Sequence, residues 1–129
     1  MNKKLLITGS VLGILGIILG AFAAHGLEKL IDSDAIKSFE TGVRYQLYHA
    51  FLLLILGSSS FLSLKSKNII LYLVIFGLVF FSGSIYGLAT NSLSSFNFKT
   101  IAVITPVGGL LLISTWIVML IDIIRNKVD

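Results

Sequence analysis

The chain has 129 residues, of which 56% are hydrophobic and 12% are charged, whereas soluble domains carry roughly a quarter charged residues. This composition excludes a soluble globular domain, and it also excludes a disordered chain, which would be polar and highly charged. The net charge of +4 comes from basic residues scattered at the ends of apolar runs rather than clustered as in nucleic-acid-binding proteins, and the absence of cysteine excludes disulfides and thiolate chemistry.

Four apolar segments are long enough to cross a bilayer, whose core of about 30 Å requires about 20 apolar residues in a helix. They are residues 5–24, 47–64, 69–90 and 101–121. These segments occupy most of the chain and leave no room for a second domain. The sequence therefore predicts an all-α fold, in which residues 1–129 form a single integral membrane four-helix bundle.

The first span has two interpretations. Two lysines, an apolar run and the sequence Ala21-Phe22-Ala23 resemble a signal peptide with its cleavage site. The span also contains a regular series of small residues, at Gly9, Gly13, Gly16 and Gly20. Spacings of three and four residues place them on one helix face, which is typical of membrane helices that pack closely. We therefore expect a retained span whose glycines pack within the bundle or form a homo-oligomer interface.

The connection after the first span contains a helix start. Asp32, Ser33 and Asp34 have the composition of an N-cap, and apolar residues recur at helical spacing from Ile36 to Ala50. The second helix is therefore predicted to begin near Asp34, as an extracytoplasmic extension that precedes the second span.

The basic residues predict the orientation of the spans. The side with both termini carries Lys3, Lys4, Lys65, Lys67, Arg125 and Lys127, and the other side carries Lys29, Lys37, Arg44 and Lys99. Four of the six acidic residues also lie on the second side and offset its positive charge. The positive-inside rule then predicts a multi-pass plasma-membrane protein with both termini in the cytoplasm.

In this orientation, the uncharged polar side chains of distant segments fall at one level in the outer half. They are His25 in the first span, Tyr45, Gln46, Tyr48 and His49 in the second, Ser82 and Tyr86 in the third, and Thr105 in the fourth. Hydrogen-bonding groups beside an apolar bundle suit an amphiphile with a polar head. We predict a ligand- or partner-binding cluster here, and expect the cytoplasmic halves to be plain packing surface.

Backbone features accompany this cluster. Gly83 and Gly87 lie one turn apart and are predicted to let a neighbouring helix approach. Pro106 lacks an N–H and is predicted to break the fourth span, which would free the carbonyl of Ala102. No charged residue lies deep in a span, and this argues against proton-coupled transport, which relies on intramembrane carboxylates.

Four motifs resemble a known family when taken in order. They are residues 20–27 (GAFAAHGL), 41–50 (TGVRYQLYHA), 81–86 (FSGSIY) and 104–109 (ITPVGG). The chain resembles domain-of-unknown-function family 423, related to transmembrane protein 256, over nearly its whole length. It departs from the family at Ala23, where glycine is usual, and at Gly42, where alanine is common. The resemblance implies a four-helix membrane protein and no established activity, substrate or cofactor.

Three interpretations of function stay open. The first is a non-enzymatic protein that binds a lipid, a quinone or a partner membrane protein through the outer polar cluster. The second is a redox protein whose b-type haem is held by His25 and His49. The third is a structural or assembly subunit in which the cluster only ties helices together. Hydrolysis is disfavoured because the acidic residues lie in the first connection or at the chain ends, and we predict no metal site, no cofactor and no nucleic-acid partner.

Overall fold

The computed structural model describes residues 1–94 and 102–126, and all secondary structure within these ranges is helical. The long helices are α1 (Lys3–His25), α2 (Ser33–Ser58), α3 (Leu64–Leu78) and α5 (Ile104–Arg125). A π-helical turn, Val79–Gly83, joins α3 to α4 (Ser84–Ala89), and short 3₁₀ turns occupy Leu27–Lys29 and Asn91–Leu93. The segment 64–89 acts as one long helical unit. The prediction of an all-α four-helix membrane protein is therefore confirmed.

Three of the four units are long and apolar enough to cross a membrane, namely Lys3–Lys29, Leu64–Ala89 and Ile104–Arg125. The exception is α2, whose 26 residues extend about 39 Å at 1.5 Å per residue. Its first half carries charged residues, including Lys37, Glu40 and Arg44, and its second half is apolar. The N-cap of α2 lies within the predicted helix start. The Asp32 carboxylate accepts a hydrogen bond from the Ala35 N–H at 2.8 Å.

The second helix ends earlier than the predicted span. It stops at Ser58 rather than at Leu64, because residues 59–63 form the turn into α3. Ser63 caps α3 by accepting a hydrogen bond from the Ser66 N–H at 3.2 Å. The predicted start of the fourth span, residue 101, lies outside the described residues, and the helix α5 begins at Ile104.

The helices pack in the order α1, α2, α3–α4, α5. Helix α1 lies along α2, α2 contacts the 64–89 unit, and α5 lies along α3 and the π-helical turn. One apolar core, which includes Leu5, Leu53 and Ile70, fills the half nearer the termini, and a smaller one around Phe39 fills the other half. The outer helices α1 and α5 keep most of their large apolar side chains exposed. Such surfaces suit contact with lipid chains.

The irregular backbone lies in the unit 64–89 rather than in α5, the helix of the predicted fourth span. Helix α5 begins at Ile104, so Pro106 is in its first turn, where a missing N–H breaks no helical hydrogen bond. The carbonyl of Ala102 accepts a hydrogen bond from the Thr105 N–H at 3.3 Å. The predictions of a break in the fourth span and of a free Ala102 carbonyl are therefore wrong. The wide turn is at Val79–Gly83, and α5 packs directly on it.

Candidate functional site

The outer polar cluster separates into two parts in the structure. One part is a buried network of Gln46, Ser82, Tyr86 and Thr105 that links helices, and the other is Tyr45, Tyr48 and His49 along a groove. His25 belongs to neither part, because it is exposed as the last residue of α1. The two parts therefore have different capacities to bind another molecule.

Gln46 connects three helices from the centre of the bundle. Its side chain is only 5% exposed. Its Nε2 donates to the carbonyl of Leu12 in α1 at 2.9 Å, and its Oε1 accepts a hydrogen bond from the hydroxyl of Tyr86 in α4 at 2.7 Å. The ring of Tyr86 packs against Phe39 with centroids 4.8 Å apart. Gln46 and Tyr86 are thus engaged within the protein and are poorly placed to hold a ligand.

Two serines fix the unit 64–89 to its neighbours. Ser82, in the π-helical turn, is 1% exposed and donates to the carbonyl of Gly42 in α2 at 2.7 Å. Ser84 and Thr105 share a hydrogen bond between their hydroxyls, which joins α4 to α5. Ser84 was not among the predicted site residues. Its partner became apparent only when the first turn of α5 was placed beside α4.

His49 is bound at both ring nitrogens. Its side chain is 2% exposed, with Nδ1 at 2.7 Å from the carbonyl of Tyr45 and Nε2 at 3.1 Å from Nε1 of Trp116 in α5. A carbonyl can only accept and an indole N–H can only donate, so the neutral tautomer with the proton on Nδ1 satisfies both bonds. Iron ligation by His49 would require breaking one of these bonds, which weighs against the haem interpretation.

Trp116 is a member of the site that the sequence did not indicate. It is the only tryptophan of the chain and lies 67 residues after His49, within an apolar run of α5. Helical spacing relates residues within one helix and could not pair it with His49. The sole available signal was its lone indole N–H within a membrane span, since such groups usually find an acceptor.

An aromatic groove runs between α2 and α5 on either side of the His49–Trp116 pair. We define the aromatic groove by Tyr45, Tyr48, His49, Phe81 and Trp116. Its two lobes have volumes of about 450 Å³ and 270 Å³. The ring of Tyr45 contacts Tyr48 and Phe81 edge to face, with centroids 5.6 Å and 5.3 Å apart. Among the described residues, no aspartate, glutamate, lysine or arginine lines either lobe.

Tyr45 and Tyr48 expose part of their side chains at the aromatic groove. These side chains are 39% and 51% exposed, respectively, at the mouth of the aromatic groove. In the described ranges 1–94 and 102–126, neither hydroxyl forms a hydrogen bond with a protein group. The groove therefore combines apolar walls with uncharged hydrogen-bonding groups.

The glycines of α1 pack within the chain at three of four positions. A Cβ atom on Gly9 would lie 2.9 Å from the carbonyl oxygen of Ala50, and one on Gly16 would lie 2.7 Å from Leu47 Cδ2. Gly20 faces Val43 at 3.4 Å. Gly9 and Gly16 let α1 approach α2 closely, and Gly20 lies at ordinary contact distance from α2, so all three face α2 within one chain.

Other predicted packing glycines do not serve this purpose. A Cβ atom on Gly13 would meet nothing within 4 Å, and Gly83 is exposed, with only the Leu78 carbonyl of its own helical unit nearby at 3.8 Å. The prediction does not hold at these positions because both glycines line gaps between helices, where no neighbour lies in close contact. Gly87 is half-buried in α4. Among the glycines, the tightest contact is instead at Gly108, which was not among the predicted packing glycines.

A second polar network lies at the end of the bundle that holds the termini. Asp122, 8% exposed in the last turn of α5, accepts hydrogen bonds from the N–H and hydroxyl of Ser63 at 2.9 Å and 3.1 Å. It also accepts one from Asn126 Nδ2 at 2.6 Å. Lys67 is buried nearby in the first turns of α3. The expectation of plain packing surface in this half is therefore wrong.

Comparisons with known proteins agree with the resemblance seen in the sequence. The profile of the family described as "Protein of unknown function (DUF423)" matches residues 19–109. A UPF0382 membrane protein of Staphylococcus saprophyticus is 36% identical over 119 residues, which cover 92% of this chain and 95% of the relative. The UPF0382 membrane protein YwdK of Bacillus subtilis is 33% identical, with coverage of 95% and 98%.

A relative from a Gram-negative bacterium shows similar coverage. The UPF0382 inner membrane protein YgdD of Escherichia coli is 34% identical over 98% of this chain and 93% of its own length. No solved structure matches the chain. The helical architecture, the lipid-compatible surfaces and these relatives together identify a membrane protein of unknown function, and the chain belongs to the DUF423 family.

Proposed function

We propose that the protein holds a membrane amphiphile of the isoprenoid quinone class in the aromatic groove, without catalysing a reaction on it. The observation that carries the proposal is the pair of exposed hydroxyls on Tyr45 and Tyr48, which have no partner in the described residues, beside a groove walled by aromatic rings. An oxidised quinone headgroup is planar and offers carbonyl acceptors. Tyrosine hydroxyls can donate to those carbonyls, and aromatic rings can pack on its faces.

The charge of the groove favours a quinone over a phospholipid. A phosphate headgroup is usually held by arginine or lysine, and none lines the groove in the described part of the chain. A catalytic role is disfavoured because both nitrogens of His49 are engaged, and no carboxylate lines the groove among residues 1–94 and 102–126. Gln46, Ser82 and Tyr86 already form the hydrogen bonds that hold the helices together in the outer cluster.

The fluorescence of Trp116 provides a direct test. Trp116 is the only tryptophan and lines both lobes, so a quinone in the groove should quench its emission in a saturable manner. We expect a short-chain ubiquinone, titrated into the detergent-solubilised protein, to bind about fivefold more weakly to the Tyr45→Phe variant, since one hydrogen bond contributes about 1 kcal/mol. The matched control is Tyr72→Phe, at an exposed tyrosine of α3 away from the groove, and it should bind as wild type does.

Two outcomes would contradict the proposal. Quenching that rises linearly with quinone concentration, equally in both variants, would indicate collisions in the micelle and no site. Displacement of the quinone by an equal concentration of phosphatidylcholine would indicate a groove for lipid in general. Mass spectrometry of molecules that co-purify from membranes provides an independent check of the occupant.

We further propose that both termini face the cytoplasm of the plasma membrane, which the distribution of basic residues supports. The chain has no cysteine, so a single introduced cysteine is a unique label site. Asp34 and Lys65 are exposed at opposite ends of the bundle. In intact cells, a membrane-impermeant maleimide should label the Asp34→Cys variant, and it should label Lys65→Cys only after permeabilisation. The reverse pattern would invert the topology.

A further inference from the structure

A basic cavity lies between the first turns of α1 and α3, at the end of the bundle opposite His25. Its volume is about 530 Å³. The polar side chains that line it are Asn2, Lys3, Lys4, Ser60, Lys67 and Asn68. It has three lysines and no acidic residue among its lining residues. The cavity is separate from the aromatic groove and shares no residue with it.

Lys67 is a buried cation with no counter-charge in the described part of the chain. Its side chain is 7% exposed, and its Nζ donates to the carbonyl of Ser59. Asp122, the buried carboxylate at this end, is occupied by Ser63 and Asn126. Removing an ammonium group from water is costly unless an anion or several acceptors replace the solvent. Among the described residues, the carbonyl of Ser59 takes one of the three donors of the ammonium, and the other two can bind an anion.

The residue that contacts Lys67, Ser59, has an unsatisfied hydroxyl. Its Oγ is buried and has no hydrogen-bond partner. Its carbonyl is the group that receives the Lys67 ammonium, so the unsatisfied hydroxyl lies in the residue that contacts the uncompensated charge. Buried hydroxyls without partners are uncommon in folded proteins and call for an explanation. Ser59 does not line the cavity, so its hydroxyl shows incomplete hydrogen bonding next to Lys67 and is not a contact of the ligand.

Two helix N-termini also reach the cavity. Helices α1 and α3 begin there, capped by Asn2 and Ser63, and neither has an acidic residue in its first turn. The helix dipole favours negative charge at this position, yet the first turns carry lysines. N-terminal N–H groups and positive dipole ends commonly bind phosphates. The N-terminus of α3 already has the Asp122 carboxylate at Ser63, whereas the N-terminus of α1 has no acidic residue beside it in the described part of the chain.

We propose that this cavity binds the phosphate of an anionic phospholipid headgroup, with Lys67 as its innermost contact and Lys3 and Lys4 at its entrance. A lipid is favoured over a free phosphate because Leu62 and Leu64 also line the cavity, and Leu64 is 66% exposed beside it. Apolar surface next to a basic cavity matches a molecule that has both a phosphate and acyl chains. Basic pockets between membrane helices are a recurrent mode of binding acidic lipids.

The test compares two lysines of the same helix. Lys65 is exposed, does not line the cavity and lies two residues before Lys67, so Lys65→Gln removes the same charge as Lys67→Gln. Native mass spectrometry of the detergent-solubilised full chain would measure binding of a short-chain phosphatidylglycerol. We expect Lys67→Gln to weaken binding about tenfold and Lys65→Gln to change it less than about twofold. Phosphatidylcholine should not bind at this site.

A second variant covers the case in which Lys67→Gln does not fold, which the thermal unfolding of each variant would reveal. Lys3 and Lys4 are exposed, so the double change Lys3→Gln and Lys4→Gln should fold and should weaken phosphatidylglycerol binding by about fivefold or more. Unchanged binding in this variant would overturn the proposal. So would equal losses in Lys65→Gln and Lys67→Gln, which would indicate diffuse attraction to surface charge. Inorganic phosphate that displaces the lipid at equal concentration would show that the site takes free phosphate instead.

Discussion

Replacing Gly108 with alanine is expected to lower the free energy of unfolding by about 3 kcal/mol, at the upper end of the usual range for overpacking. A Cβ atom on Gly108 would lie 2.3 Å from the backbone nitrogen of Phe81 and 2.6 Å from the carbonyl carbon of Phe80. It would also lie 2.8 Å from the carbonyl oxygen of Gly77. These are backbone atoms, which cannot rotate away as a side chain would, so α5 must move off the π-helical turn.

Gly13 provides the matched control for this change. A Cβ atom on Gly13 would meet nothing within 4 Å, and the position is within a helix. Alanine there should be neutral or stabilising, by about 0.5–1 kcal/mol, because glycine is the poorer helix former. Unfolding in a denaturing detergent, followed by circular dichroism, measures both variants. Equal stability of Gly108→Ala and Gly13→Ala would show that the close approach at Gly108 is not required.

Replacing Asp122 with alanine is expected to cost about 2–4 kcal/mol of stability. Hydrogen bonds to charged groups contribute about 1.5–3 kcal/mol, and the carboxylate of Asp122 accepts three, two from Ser63 and one from Asn126. Without it, the N–H of Ser63 loses its acceptor at the start of α3. An aspartate in the last turn of α5 is also unfavourable to the helix dipole, so the expected loss is a net value.

The asparagine variant separates charge from geometry at this position. Asp122→Asn keeps one acceptor oxygen for the N–H of Ser63 but loses the negative charge. It should therefore be less destabilised than Asp122→Ala, with the difference seen as a higher midpoint in detergent-induced unfolding. Identical midpoints for the two variants, or wild-type stability of Asp122→Ala, would show that the bonds to Ser63 do not hold α5 to the turn between α2 and α3.

The helices were predictable because the bilayer imposes their length and polarity. An apolar run of about 20 residues has few alternatives to a spanning helix, and Asp32 marked the start of α2 by its capping chemistry. The ends of the second and third spans were predicted less accurately. Residues 59–63 are apolar enough to extend a span, and only the capping of α3 by Ser63 defines the turn.

Partners across helices were the part that the sequence could not supply. The depth of the polar cluster could be predicted by counting residues along each span. The partner of Gln46 could not, because it is the backbone carbonyl of Leu12 and every residue has such a carbonyl. The π-helical turn contains no proline that would indicate it in the sequence. Gly108, which packs against this turn, lies on another helix, so spacing along the sequence could not relate the two. The role of Asp122 could not be predicted because its partner, Ser63, is 59 residues away.

The hydrogen bond from Trp116 to His49 also bears on how a molecule would enter the aromatic groove. It is a neutral bond that crosses the groove from α5 to α2, and such a bond contributes only about 1 kcal/mol. In an apolar groove no water replaces a broken bond, so opening it costs about 4–6 kcal/mol unless new partners are supplied. We therefore expect a molecule that enters sideways from the lipid to occupy the two lobes while the bond between Trp116 and His49 stays closed.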